Sequence, residues 1–241
     1  MMIGPKGMAY NGHDLSPWLY ANPTRPIMPP VEVEADKVPG MQGTRFRSAK
    51  LGELKIPVTV RLRASAKDNI AELRHALAAM LRSDRPAPLY LGDDPTRYNL
   101  AVLDGSSDLD RLWHTGRTEL TFRACDPVSY GKRASLEIGA EGTANVGGTE
   151  DTSPTITATP PKGASYRIAL SDTGEYVQVD MPFDGSAKLV IDCAAQHCTV
   201  NGASADAHVA LASDYFILRP GNNRIVSSGG AATIEWTERW L

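Results

Sequence analysis

The chain has 241 residues, 42% hydrophobic and 22% charged, a composition typical of a globular protein with one large domain or two ordinary ones. Its 25 basic and 28 acidic side chains give a net charge of −3 and are mixed along the sequence, which argues against a clustered basic surface for sequence-specific nucleic-acid binding. No apolar stretch approaches the roughly 20 residues that cross a bilayer, and the first residues lack the apolar core of a secretion signal. We therefore expect that the protein is synthesised in the cytoplasm and is not inserted into a membrane.

A long strand followed by one helix is predicted first. Residues 53–64 alternate between apolar and polar side chains, which is the period of a strand with one buried face. Pro57 cannot donate a ladder hydrogen bond, so we expect this strand to lie at a sheet edge or to be bulged there. Residues 65–84 repeat apolar side chains every three or four positions and predict a helix that starts at the N-cap Ser65 and stops before Pro86.

Two further strand signals complete a first domain. Residues 87–105 are two apolar stretches around a Gly-Asp-Asp-Pro turn and predict a hairpin. Residues 119–125 alternate and predict another strand, which stops at Asp126-Pro127 because Asp before Pro favours a turn and Pro donates no ladder bond. We predict an N-terminal α+β domain over residues 1–138, in which one helix covers one face of a sheet.

The composition changes after residue 138. Residues 139–153 are rich in Gly, Thr and acidic side chains and predict a linker or a long loop. Residues 154–241 carry short strand signals at regular intervals, separated by Gly, Asn and Asp turns. This spacing without a helix predicts a C-terminal antiparallel β-sandwich, so the expected fold is mainly β with one helix.

Few groups of neighbouring residues in the sequence indicate a catalytic or metal-binding site. His197 lies beside Cys198 and near Cys193, so one hairpin could supply three metal ligands, although ordinary hairpin residues are the favoured interpretation. The two cysteines flank a turn and could form a disulfide bond. We predict reduced thiols instead, because three cysteines in a chain of this length do not make a disulfide framework.

The acidic groupings favour a structural interpretation as well. Asp93 and Asp94 lie in a tight turn, where Asp commonly bonds its own backbone. Asp104, Asp108 and Asp110 resemble a calcium loop without its closing Glu. No nucleophile elbow, phosphate loop, dinucleotide fingerprint or zinc-protease motif occurs. We predict no catalytic residue, no metal site and no cofactor, and a binding or structural protein rather than an enzyme.

Five stretches, taken in order, resemble the distal tail protein (Dit) family of long-tailed, non-contractile bacteriophages. Residues 10–19 (YNGHDLSPWL) and the turn and strand at 38–62 resemble the start of the family pattern. The helix and the hairpin at 87–105 stand where the family places them. Residues 120–131 (LTFRACDPVSYG) resemble the close of its first domain, and residues 214–226 (DYFILRPGNNRIV) resemble a late hairpin. Each motif is weak alone, and their order over nearly the whole chain carries the resemblance.

The resemblance implies a structural role at the virion tail tip after assembly in the host cytoplasm. Family members form a six-fold ring, so we expect a homohexamer that joins the tail tube protein to a tail-tip (Tal-like) protein and lets DNA pass. The C-terminal sandwich is then expected to be galectin-like and to project outward, where in some phages it docks a receptor-binding protein.

We predict that the turn region at residues 38–47 contributes to the ring contact. A closed ring needs head-to-tail contacts, and exposed strand edges can make them. An ordinary surface hairpin remains the alternative interpretation of this stretch. The candidate interface residues are Pro39, Gly40, Gly43, Arg45, Phe46 and Arg47.

A carbohydrate-binding, lectin-like adsorption protein acting through the C-terminal sandwich is the alternative function. Sugar sites on β-sandwiches commonly combine an exposed aromatic ring with a few polar groups. The candidate sugar contacts are Tyr215, Trp236 and Trp240, although a core position for Trp236 is the favoured interpretation.

Overall fold

The structure is a computed structural model that describes residues 3–63, 70–105 and 117–241. The chain separates into two compact units, residues 1–130 with Leu241 and residues 131–240. Within the described residues, both units are built from antiparallel strand ladders, and the one α-helix lies in the first unit. The fold is therefore mainly β with one helix, as the sequence predicts.

The first unit is organised around a long central strand. This strand pairs on one side with a short strand near the N-terminus and on the other side with the strand that precedes Asp126-Pro127. In chain order the described elements are β1 (Met8–Tyr10), β2 (His13–Asp14), β3 (Leu19–Pro23), β4 (Val31–Asp36), β5 (Arg45–Leu51), β6 (Leu54–Leu62), α1 (Ile70–Leu81), β7 (Ala87–Leu91), β8 (Asp94–Asp104) and β9 (Arg117–Ala124). The central strand is β6, between β3 and β9, and the ladder continues from β9 through β8 and β7 to β1.

Pro57 lies inside this sheet, so the prediction of an edge or bulged strand is wrong. β6 pairs with β9 along nearly its whole length without a register shift. On the other side, the β3 ladder ends at the pair Pro23–Val58, one residue before Pro57. The Pro57 carbonyl accepts a hydrogen bond from the backbone N–H of Thr24 at 2.9 Å. The missing N–H therefore faces the side where β3 has already ended, and no ladder bond is lost.

Helix α1 covers the apolar face of the sheet. Leu73, Leu77 and Leu81 recur every four residues and form one buried cluster with the inward side chains of β6 and β9. The predicted N-cap Ser65 lies outside the described residues. No helix in the described part of the chain is long and apolar enough to cross a membrane. The strand residues of the cluster include Ile56, Val58, Val60, Leu120, Phe122 and Ala124.

The turn after β9 is fixed by Asp126. Its carboxylate accepts hydrogen bonds from the backbone N–H of Val128 at 3.4 Å and from the Tyr130 hydroxyl at 2.5 Å. The buried side chain of Asn99 donates to the Val128 carbonyl at 3.1 Å. Tyr130 also stacks on Tyr98, with ring centroids 5.4 Å apart. The Asp-Pro-x-x-Tyr sequence thus ends one strand and anchors the start of the next.

The second unit places two antiparallel ladders around one core. Its described strands are β10 (Ser129–Ile138), β11 (Glu141–Val146), β12 (Thr155–Thr159), β13 (Tyr166–Leu170), β14 (Tyr176–Val179), β15 (Leu189–Asp192), β16 (His197–Val200), β17 (Ala203–Ser204), β18 (Gly221–Ser227) and β19 (Ala231–Trp240). One ladder has the order β17-β16-β15-β12-β19-β10, and the other has the order β11-β18-β13-β14. Side chains of both ladders form a single buried cluster, which includes Ile156, Ile191, Ile234, Ile168 and Ile225.

Part of the stretch 139–153, predicted as a linker or long loop, is a strand. Residues 141–146 form β11, which pairs with β18 along its whole length. Ala144 and Val146 point into the core and are almost fully buried. The strand has only these two apolar anchors, because small and polar residues occupy its other positions, and this composition hides the alternation that a strand requires.

Candidate interaction surface

Strands β4 and β5 form a two-stranded sheet of their own within the described residues. At the base of this hairpin, the backbone N–H of Gly52 donates to the Pro30 carbonyl at 2.7 Å. At the tip, Gly40 and Gly43 have φ angles of 80° and 84°, which residues with a side chain rarely adopt. Every residue of both strands is exposed or half-buried. A hairpin that has no third strand or covering element is only marginally stable in water.

A register shift decides which face of the hairpin carries Phe46. Val33 lies opposite Ala49 in the regular part of the ladder. The register then shifts, and Ala35 lies opposite Phe46. Opposite residues of an antiparallel pair share a face, so Phe46 joins the face of Val33, whereas strict alternation would place it on the polar side. The β-bulge gathers the apolar side chains on one surface, here called the apolar hairpin face: Val31, Val33, Ala35, Phe46, Ala49 and Leu51.

The apolar hairpin face is open to solvent. Val33 is 61% exposed and Phe46 is 64% exposed, and Val31 and Leu51 near the base are 41% and 38% exposed. Met41 at the tip is 51% exposed. Contiguous exposed apolar surfaces of this kind are typical of interaction sites.

The other face of the hairpin is polar and internally bonded. Arg47 Nε lies 2.8 Å from Asp36 Oδ2 in an exposed ion pair. The Ser48 hydroxyl donates to the Glu34 carboxylate at 3.0 Å. Exposed pairs of this kind contribute between 0 and about 1 kcal/mol. The polar face therefore stabilises the hairpin only weakly and remains hydrated.

The structure distributes the predicted interface residues over three places. Phe46 lies on the apolar hairpin face, and Pro39, Gly40 and Gly43 lie in the turn. The third place is the polar face, where Arg45 lies opposite Asp36 and Arg47 forms the ion pair with that aspartate. Sequence reasoning missed Val31 and Val33, which share the face of Phe46. The signal for them is the alternation in residues 31–36 (VEVEAD), which lies within a stretch dominated by prolines.

The three predicted sugar contacts do not form a site. Trp236 is 5% exposed within the core of the second unit, which confirms the favoured core position and leaves its ring no face to offer a sugar. Tyr215 packs against the same core, and its hydroxyl lies 3.4 Å from Cys198 Sγ. Burial raises the pKa of Tyr215. Trp240 is half-buried at the end of β19.

The cysteine hairpin carries free thiols. Cys193 and Cys198 are buried and unbridged, as predicted, and burial raises the pKa of Cys193 to about 12. The His197 Nδ1 lies 2.6 Å from Asp206, whose carboxylate also accepts from the backbone N–H of Cys198 at 2.7 Å. Within residues 3–63, 70–105 and 117–241, no group of three or more His, Cys, Asp and Glu side chains could hold a metal ion.

The acidic turn residues act structurally where they are described. Asp93 pairs with Arg25 at 2.9 Å, and Asp94 pairs with Arg97 at 2.9 Å. Burial raises the pKa of Asp94, but hydrogen bonds from Arg97 and Thr96 and the nearby positive charges outweigh it and hold that pKa below its usual value. Asp104 pairs with Arg123 at 2.8 Å. Positions 108 and 110 lie outside the described residues.

Two family profiles match most of the chain. Residues 13–124 match the phage tail protein RIFT-related domain, and residues 147–240 match the C-terminal domain of the siphovirus-type tail component. The distal tail protein of Bacillus phage SPP1 is 24% identical over 242 residues, spanning 97% of this chain and 95% of that protein. The chain belongs to the siphovirus distal tail protein family.

Solved structures agree with this membership at the level of the fold. The crystal structure of the SPP1 distal tail protein, described as a paradigm of the hub adsorption apparatus, has a TM-score of 0.82 at 19% identity and covers 98% of this chain and 99% of its own. A chain in the activated baseplate of phage P2 has a TM-score of 0.50 at 10% identity, with 90% of each chain covered. As a member of the family, the chain is a distal tail component of the baseplate hub type, and the family is one of structural tail proteins.

Proposed function

We propose that this chain forms the ring-shaped hub at the distal end of a long, non-contractile phage tail. The ring is a homohexamer that joins the tail tube protein to a tail-tip (Tal-like) protein, and DNA passes through it. Family membership supports the tail role, and the fold likeness to the SPP1 distal tail protein supports the hub. The first unit, residues 1–130, makes the ring in this proposal.

The second unit, residues 131–240, forms the projecting domain in the same proposal. Two antiparallel ladders that share one core support a β-sandwich, which we take to be galectin-like. A receptor-binding protein is the proposed partner of this domain at the virion tail tip, after assembly in the host cytoplasm. The aromatic side chains predicted for sugar binding give the lectin alternative no support, because Trp236 is buried and Tyr215 packs on the core.

The apolar hairpin face is the observation that carries the proposal. Val33 and Phe46 are more than half exposed, although each is stabilised by about 1.5–3 kcal/mol when fully buried. A monomer leaves that stabilisation unused, and a closed ring provides it six times over through one repeated head-to-tail contact. The hairpin is therefore the element that a neighbouring subunit covers.

Negative-stain microscopy and light scattering of the purified chain test the proposal. We expect six-fold annuli from the wild-type chain. V33E and F46E should leave monomers, because a charged carboxylate cannot be buried without a partner. These monomers should unfold at the same temperature as the wild-type chain measured at a concentration where it is monomeric. The control K50Q lowers the net charge by the same one unit on the polar face and should keep the ring. Annuli that persist in both V33E and F46E would contradict the role of this face.

A further inference from the structure

Strand β11 lies at one end of the ladder β11-β18-β13-β14 in the second unit, and one of its edges is open. A contact next to the strand fixes which residues bond β18, because the backbone N–H of Ser227 donates to the Ala140 carbonyl at 2.7 Å. Bonded pairs alternate along an antiparallel ladder, so every second residue after Ala140 bonds β18. The residues between them, Glu141, Thr143 and Asn145, turn their backbone N–H and C=O groups to the open edge.

A contact on the far side of β18 gives the same bonding pattern. The backbone N–H of Ser171 donates to the Arg224 carbonyl at 2.8 Å, so Arg224 bonds towards β13. Arg224 is the residue opposite Thr143, and the backbone of Thr143 therefore bonds nothing on the β18 side. Thr143 and its alternate neighbours Glu141 and Asn145 are exposed. In the described part of the chain, no hydrogen bond reaches the backbone groups of these three residues.

The other ends of the two ladders are protected against a further strand. At β14, a following segment bonds the edge, and in one of these bonds the backbone N–H of Ala210 donates to the Gln178 carbonyl at 2.9 Å. Strand β17 has only two residues. Strand β10 carries the exposed charges of Lys132, Arg133 and Glu137, and charged side chains on an edge strand oppose further pairing.

Strand β11 lacks these protections. Its single charged side chain, Glu141, pairs with Arg224 of β18 at 2.8 Å. The six residues of the strand include no proline and no lysine, and its ladder with β18 has no register shift. Native proteins commonly block edge strands with such features, and a regular, open edge is the kind of site to which another polypeptide adds a strand.

The side chains beside the open edge indicate what an added strand carries. On the inner face, a Cβ atom on Gly142 would meet the side chains of Ile138 and Leu136. Leu136 is only half-buried, and Gly142 and Ala144 are too small to cover it. Apolar side chains of an added strand would lie opposite these small residues and cover Leu136. On the outer face, the exposed Thr143 favours a polar neighbour.

We propose that β11 binds an extended segment of another protein, which adds a strand to the ladder through main-chain hydrogen bonds. Polar residues of that segment bond Thr143 and its alternate neighbours, and the apolar residues between them cover Leu136. A second copy of β11 fits less well, because two-fold pairing about Thr143 would place Ala144 opposite Gly142 and leave Leu136 uncovered. The inference does not depend on the ring, because all of these residues belong to the second unit of one chain.

Hydrogen exchange resolved to single residues by mass spectrometry tests whether the edge is open and accepts a strand. The probe is a capped peptide as long as β11 that alternates threonine and valine, with a lysine at each end for solubility. Without peptide, the amides of Thr143 and Asn145 should exchange fast, and those of Gly142 and Ala144 should be protected by β18. Saturating peptide should slow exchange at Thr143 and Asn145 by about tenfold or more.

N-methylated peptides test the register of the added strand, with binding followed by fluorescence anisotropy of the labelled peptide. Methylation of the threonine nitrogens removes the donors that face β11 and should abolish binding. Methylation of the valine nitrogens removes only donors on the far edge and should change the affinity by less than about threefold.

Substitutions in the chain test the same contact from the other side. T143P removes an N–H that bonds nothing within the ladder and should abolish peptide binding, whereas the matched control T143A keeps that N–H and should bind like the wild-type chain. L136A should weaken binding about tenfold, because the valines lose their apolar contact, and it tests the site even if T143P does not fold.

Three results would overturn the proposal. Protection of the Thr143 amide without peptide would mean that the chain itself or a second copy covers the edge. Equal binding of the two methylated peptides, or no binding of the unmethylated one, would show that β11 does not pair in this way. Binding by folded T143P as tight as that of T143A would remove the role of the open N–H.

Discussion

Two pairs of antiparallel strands in the first unit each carry one apolar face but differ in what covers that face. In β6 and β9, the apolar side chains Val58, Leu120 and Phe122 are at most 3% exposed, and α1 packs in the same cluster. In β4 and β5, Val33 and Phe46 are 61% and 64% exposed. Alternation thus predicts that a strand has an apolar face. It does not predict whether the same chain or another one covers that face.

A pair of matched substitutions gives the largest contrast between the two regions. F122A should destabilise the chain by about 3–5 kcal/mol, because it opens a cavity in a closed core. F46A should change the stability of the monomer by no more than about 0.5 kcal/mol, because the Phe46 side chain is already exposed to solvent. Urea unfolding of both variants at a concentration where the chain is monomeric measures the difference. Equal losses would mean that the hairpin is covered within its own chain.

The helix that covers β6 and β9 can be weakened directly. L77A removes a side chain that is 3% exposed in the α1 stripe and should cost about 3 kcal/mol. E72A, on the exposed side of the same helix, is the control and should stay within about 0.5 kcal/mol of the wild-type chain. Thermal and urea unfolding monitored by circular dichroism would show the difference. A mild effect of L77A would indicate that the sheet keeps its core without the helix.

The same contrast explains what the sequence could predict. The local spacing of apolar side chains predicts the helix α1 and the strands β6 and β9, and the structure confirms all three. The interior position of Pro57 depends on where β3 ends, and the strand β11 depends on its partner β18, so neither follows from local pattern. Phe46 reaches the apolar hairpin face only through the bulge, which period two cannot anticipate. The sequence favours a core position for Trp236, and the second ladder, which completes that core, confirms it.

Ion pairs should show a smaller contrast that depends on pH. The pKa of Asp94 is lowered in the folded chain, so its contribution is present above the pKa of an unfolded Asp, about 3.9, and is lost as pH falls through the folded value. D94N should therefore cost up to about 1 kcal/mol at pH 7 and little at pH 2. D36N removes the more exposed hairpin pair and should cost less at pH 7. Urea unfolding at both pH values checks this, and a larger loss in D36N would contradict it.

Deletion of Arg47 should have the smallest effect and tests the origin of the apolar hairpin face. Glu34 lies opposite Ser48 and Ala35 lies opposite Phe46, so Arg47 is the extra residue of the bulge. Without it, Ser48 and Phe46 become neighbours in a regular strand and still point to opposite faces. Phe46 thus stays beside Ala35, and the deletion should remove only the exposed pair with Asp36, worth at most about 1 kcal/mol.

Light scattering should then find the same assembly state in the deletion variant as in R47A, which loses the pair but keeps the bulge. If the deletion abolishes assembly while R47A does not, the bend of the bulged strand is itself part of the contact. If both assemble, the bulge serves to place Phe46 among the apolar side chains. In that case the bulge is what gives the hairpin a continuous apolar surface for a partner. It does so although the apolar side chains of β5 do not alternate along the sequence.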